Sequence, residues 1–154
     1  MISDRNRKIF NKINVSKLPF KLDVEELKTF RLDVASNFNL IINNANSPAL
    51  KWCMSTIKKC KVFTLIYQAN ENDNPVYKED IAKKLTEYSY KTIATIIDEG
   101  IEKGYFVTAG IDKKVNADKK IKNIRPSEKL IIEFLNWSID QISTNTEFFK
   151  KYSK

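Results

Sequence analysis

Ser89-Tyr-Lys-Thr-Ile-Ala-Thr-Ile-Ile-Asp-Glu-Gly-Ile-Glu-Lys-Gly-Tyr-Phe106 is the stretch on which the fold of this chain turns. Ile93, Ile96, Ile97 and Ile101 recur at steps of three and four, the spacing of one helical face. Ser89 stands where an N-cap is needed, and Gly104 where the chain must leave the helix. The opposite face opens with Ser89, Tyr90, Lys91, Thr92 and Thr95, polar side chains with no aliphatic among them. The spacing predicts an amphipathic helix that runs straight into a strand.

Working outward, Lys78–Leu85 reads as a short helix, with Ile81, Ala82 and Leu85 apolar, and Thr86–Tyr88 as a tight turn. Downstream, Tyr105–Ile111 reads as a strand, Asp112–Asp118 as a charged loop and Lys119–Ile124 as the returning strand. Helix, turn, helix and hairpin in that order make a winged helix-turn-helix, an arrangement that places its second helix in the DNA major groove. The hairpin adds Lys113, Lys114, Lys119, Lys120, Lys122 and Arg125 against Asp112 and Asp118. A hairpin edge carries some lysine simply to discourage aggregation. Six cations beside a helix-turn-helix are better explained by the phosphate backbone or the minor groove. On this reading Ser89, Tyr90, Lys91, Thr92 and Thr95 face base edges and phosphates, and the hairpin lysines supply the electrostatic contacts.

The flanks read as helices. Asp23, with Glu26 at the capping-box position, starts a helix to Ile42 along Leu27, Phe30, Val34, Phe38 and Ile41. Ser47-Pro48 starts another, running to about Ala69 with Leu50, Met54, Ile57, Phe63 and Ile66 inward. A long helix begins near Ser127 and carries Leu130, Phe134, Leu135, Trp137 and Ile142 towards Phe148. Residues 1–22 form a basic N-terminal arm, either frayed or a short helix, with Arg5, Arg7, Lys8, Lys12, Lys17 and Lys21 against Asp4 alone.

The 154 residues carry a net charge of +8, which favours an anionic partner, although only four of the 27 basic residues are arginine and a lysine-rich composition supplies part of that excess. There is no His, so His-based nucleophile pairs and the commonest metal ligand are absent. The three glycines form no phosphate loop. No enzyme, cofactor or metal is expected. No run of 18 apolar residues and no apolar leader is present, so a cytoplasmic setting without membrane contact is expected. Cys53 and Cys60 lie seven apart, which puts them on one face of a continuous helix as small hydrophobes.

Between Lys78 and Lys129 the chain resembles the MarR family of transcription regulators. Ser89, Thr92 and Ile93, then Ile96-Ile97-Asp98, then Glu102-Lys103-Gly104 are similar to that family's recognition helix and its exit. Ile81-Ala82 and Leu85 match its preceding helix, and Asp118-Lys119-Lys120-Ile121-Lys122 its wing. The resemblance implies a mainly α fold with a small β-wing: one domain over 23–154, with the winged helix-turn-helix at about 50–125 and dimerisation helices at about 23–45 and 127–150. It also implies a homodimer on double-stranded DNA, with Leu27, Phe30, Val34, Phe134, Leu135, Trp137 and Phe148 at the interface. The family's small-molecule effectors would fit a pocket lined by Trp52, Phe38 and Tyr67, for each of which core packing is the simpler role. Two departures stand out. Lysines replace the wing arginines, and Gly100 replaces a leucine, which is expected to soften the helix by about 0.5–1 kcal/mol relative to Ala. The alternative is a winged-helix module that binds protein instead of DNA.

Overall fold

The computed structural model describes residues 2–44, 47–74, 76–116 and 119–153, with all of their side chains except those of 44 and 109–122. Its described residues form a mainly helical chain with one small antiparallel sheet. The helices are α1 (Asp4–Phe10), α2 (Leu27–Asn44), α3 (Pro48–Met54), α4 (Ile57–Glu71), α5 (Lys78–Lys84), α6 (Tyr90–Glu102) and α7 (Glu128–Tyr152); the strands are β1 (Phe106–Asn116) and β2 (Lys119–Pro126). The chain divides into two compact units, Asn46–Leu135 and a second made of Met1–Ala45 with Asn136–Lys154. Among the described residues no helix is long and apolar enough to cross a membrane.

The 46–135 unit is organised by its isoleucines. Ile81 of α5 and Ile93 and Ile97 of α6 are fully buried against Val62 and Ile66 of α4. Each such side chain contributes about 1.5–3 kcal/mol on burial. Phe106 of β1, Ile124 of β2 and Leu130 of α7 close the same cluster. Phe134 packs edge-on against Phe63 and Tyr67, with ring centroids 5.2 and 4.8 Å apart.

The expected helix from Ser47 to Ala69 is in fact two. Thr56 leaves the helical region at φ −140°, ψ 157° and accepts the Lys59 N–H at 3.1 Å. Ser55 closes α3 by donating both its N–H and its hydroxyl to the Trp52 carbonyl. Two adjacent residues that compete for backbone groups favour such a break. It turns Met54 and Ile57 outward, the latter to 72% exposure, where an unbroken helix had them inward. It also puts Cys53 and Cys60 on separate helices, not on one face. Cys53 is fully buried, and burial pushes its thiol up to about 12; burial raises Cys60 as well.

The expected loop 112–118 is strand over 112–116, and its last two residues lie outside the described ones. β1 extends to Asn116, with Lys113 opposite Ile121 and Lys114 opposite Lys120. Ladder pairing supplies partners for backbone groups that a loop would leave to water. Register shifts between Ala109 and Lys113, and again between Lys114 and Asn116, allow the hairpin to bend along its length. At the base of the sheet Ile124 donates its N–H to the Val76 carbonyl at 2.8 Å, so the chain before α5 joins the hairpin.

Gly100 also departs from expectation. Phe106 lies directly over it: a Cβ there would sit 2.3 Å from Phe106 Cδ2 and 3.1 Å from Trp52 Cη2. The glycine is a packing requirement that outweighs its poor helix propensity. Gly104 then ends α6 at φ +77°, and Tyr105 donates its N–H to the Gly100 carbonyl at 2.8 Å. This six-residue return turns the chain directly into β1.

The other unit is held differently. Its buried cluster is small: Leu22, Leu27 and Tyr152, with Ile9, Phe10, Phe20, Phe30 and Phe148 packed around them. Asp23 and Glu26 form the expected reciprocal cap, at 2.9 and 3.1 Å, although regular helix begins at Leu27. Beyond that aromatic cluster, polar groups also join α2 to α7. Asp33 accepts from Lys151 at 2.8 Å and from the Tyr152 hydroxyl, which together hold its carboxyl below the usual range. Asn37 donates to Asn145 at 3.0 Å, and Trp137 Nε1 to the Ile41 carbonyl at 3.2 Å.

Candidate nucleic-acid interface

The interface expected from sequence centres on the start of α6. Ser89 caps it, accepting the Thr92 N–H at 3.1 Å, while its hydroxyl lies 2.9 Å from that of Thr92. Thr95 donates back to the Lys91 carbonyl at 2.8 Å. Tyr90 is half-exposed and donates to Glu79 Oε1 at 3.3 Å. Ser89, Tyr90, Lys91 and Thr95 are exposed on one polar surface, and Thr92 is half-buried beside them. The three short hydroxyls are therefore locally satisfied. Lys91 and the long bond from Tyr90 are the donors most easily redirected to a ligand.

Electrostatically the start of α6 differs from its end. Residues 89–95 contain Lys91 and no acid. Two acids further along are partnered from within the unit: Asp98 pairs with Lys78 of α5, and Glu99 accepts from Trp52 Nε1 at 2.8 Å with Lys59 at 3.9 Å. The free N–H groups of the first turn add partial positive charge at the same end.

A second set of residues, not marked by the sequence analysis, positions this surface. Lys61 of α4 pairs with Glu87 in the α5–α6 turn at 2.8 Å, which raises the lysine and lowers the carboxyl. Lys58 and Lys61 also lie over the Tyr88 ring, 5.5 and 5.6 Å from its centroid. Exposed pairs of this kind contribute at most about 1 kcal/mol each. Their effect is to hold the turn that sets the angle between α5 and α6. The cue was present as the cation run 58–61 and the acid-aromatic pair 87–88, but nothing local linked residues 26 positions apart.

Lys113, Lys114, Lys119, Lys120 and Lys122 all lie in the β1–β2 strands, and their side chains lie outside the described residues. Arg125 is described and half-buried opposite Val107.

The residues expected at a dimer interface separate. Leu27 is 1% exposed within its own unit, Phe134 is packed on Phe63 and Tyr67, and Trp137, Phe30 and Phe148 are half-buried. Val34 and Leu135 remain open, at 44% and 45%. The residues expected around an effector have other roles: Trp52 packs on Phe106 and Tyr105, Tyr67 on Phe63 and Phe134, and Phe38 stands 62% exposed. Among the described residues there is no group of acids and cysteines able to hold a metal ion. No protein-family model matches the chain, and neither does any curated protein compared with it.

Proposed function

We propose that this protein is a cytoplasmic, MarR-like transcription regulator that binds double-stranded DNA as a homodimer through a winged helix-turn-helix. The observation that carries the reading is the acid-free, exposed start of α6, set between α5 and a hairpin with five lysines in its strands. The buried isoleucine face holds the helix firmly, while the polar surface 89–95 stays open for base edges. The hairpin lysines contribute sequence-independent affinity by displacing counterions from phosphates. Self-association is supported by the 1–45 and 136–154 unit. There Leu32, Val34, Phe38, Leu40, Ile42, Ile139, Ile142 and Phe149 are each 43% exposed or more. An open apolar set of that size marks an interaction surface.

The test is the salt dependence of binding to random-sequence duplex. Lys119→Ala with Lys120→Ala is expected to weaken binding to all sequences and to flatten the slope of log K against log salt by about two. Lys91→Ala is expected to act more strongly on a selected site than on random duplex. An unchanged slope removes the hairpin from the interface, and a wild-type protein that captures protein partners but no duplex favours an interaction module.

A further inference from the structure

Helix α1 carries a charge pattern that the packing of its unit does not require. Ile9 and Phe10 dock it onto the cluster around Leu27, so it is a seated helix. Arg5 and Lys8 of the helix and Lys12 just beyond its end line, with Ile9, an open hollow of about 340 Å³. Arg7 of the same helix is exposed, and so is Arg31 of α2, which spends one N–H on Asn6 Oδ1 at 3.3 Å. Three of the chain's four arginines therefore lie within its first 31 residues, although lysine is far the commoner cation throughout.

Six lysines of the other elements, Lys59, Lys61, Lys78, Lys129, Lys150 and Lys151, pair with acids. Among the described residues no ion pair involves Arg5, Arg7, Lys8 or Lys12. The dipole of so short a helix offsets part of the repulsion at its last turn. It does not account for Arg5 at the first turn, three residues before Lys8, where like charges oppose helix formation. Guanidinium groups match phosphate oxygens in a two-pronged geometry that lysine lacks.

We infer that the outer face of α1 is a second phosphate-binding surface, for the backbone of duplex DNA outside the contacts made by α6 and the hairpin. This rests on the DNA-binding reading above. A lipid surface fits less well, because a membrane-bound helix needs apolar side chains free beside its cations, and here Ile9 and Phe10 are engaged with their own unit.

The experiment uses the full chain with Arg5→Gln, Lys8→Gln and Lys12→Gln together, glutamine being a good helix former. Binding to random duplex is followed by fluorescence anisotropy over a salt series, with circular dichroism to confirm the fold. The slope is expected to fall by about two to three, near 0.9 per lost phosphate contact. The charge-preserving set Arg5→Lys, Lys8→Arg and Lys12→Arg is expected to keep the wild-type slope, which separates charge from folding. An unchanged slope in the neutral variant overturns the inference while leaving the α6 interface standing. Absence of duplex binding by the unaltered protein overturns the underlying reading itself. Vesicles of phosphatidylserine and phosphatidylcholine form the third arm: charge-dependent vesicle binding, with duplex binding untouched, assigns α1 to membranes and overturns it too.

Discussion

The two units of this chain solve the burial problem in opposite ways. In 46–135, five helices and the base of the hairpin share one apolar cluster, and Val62, Ile66, Ile81, Ile93 and Ile97 are wholly removed from water. In the unit made of 1–45 and 136–154, an aromatic knot around Leu27 and Tyr152 closes one end. Farther along the α2–α7 seam Asn37 donates to Asn145, while on the same two helices Gln141 is buried and Phe38, Ile139 and Ile142 are exposed. One unit is complete as a folded body. The other keeps apolar surface in water and polar atoms out of it.

Breaking the complete unit should cost most. Ile97→Ala removes a fully buried side chain from the face that seats α6, and it is expected to lose about 2–5 kcal/mol in urea unfolding. A loss below about 1 kcal/mol would mean that the cluster is looser than its burial suggests.

Gly100→Ala comes next. Helix propensity alone favours the substitution by up to about 1 kcal/mol. The new Cβ, however, would meet Phe106 Cδ2 at 2.3 Å and Cε2 at 2.6 Å, ring atoms hemmed in by Trp52. Overpacking of that kind costs about 1–3 kcal/mol, so a net fall in melting temperature is expected. A rise would show that the ring moves aside freely.

The smallest effect probes the polar seam. Gln141 is 8% exposed, and neither of its amide atoms has a hydrogen-bond partner among the described residues. Gln141→Leu is expected to stabilise the protein by about 1 kcal/mol at high dilution, because an unsatisfied buried amide carries its full desolvation cost. If a second copy supplies the missing partners, the same substitution should instead weaken self-association in sedimentation equilibrium. The sign of the effect at low and at high concentration therefore separates a defect from an interface.

Much of the 46–135 unit was legible in the sequence. The isoleucine spacing of 93, 96 and 97, the Ser89 cap and the Gly104 exit are local signals, and local chemistry decides them. The Asp23–Glu26 cap was legible for the same reason. The break at Ser55–Thr56 was not, because an apolar pattern on both sides of it continues at helical spacing while two hydroxyls decide otherwise. The extent of β1 was missed because strand pairing through Asn116 depends on residues across the hairpin, not on the charged run itself.

The sequence by itself determined where α6 starts and stops and which of its faces is apolar, since capping and periodicity act within a few residues. Tertiary structure alone decided three things. It decided that Gly100 is required by the Phe106 ring and that Lys58 and Lys61 hold the turn before α6. It also decided that the apolar stripe of α2 is buried at Leu27 and open at Val34 and Phe38. The physical reason is common to all three: a side chain's burial and partners depend on what other elements bring to it, and a linear pattern records only its own side of the contact.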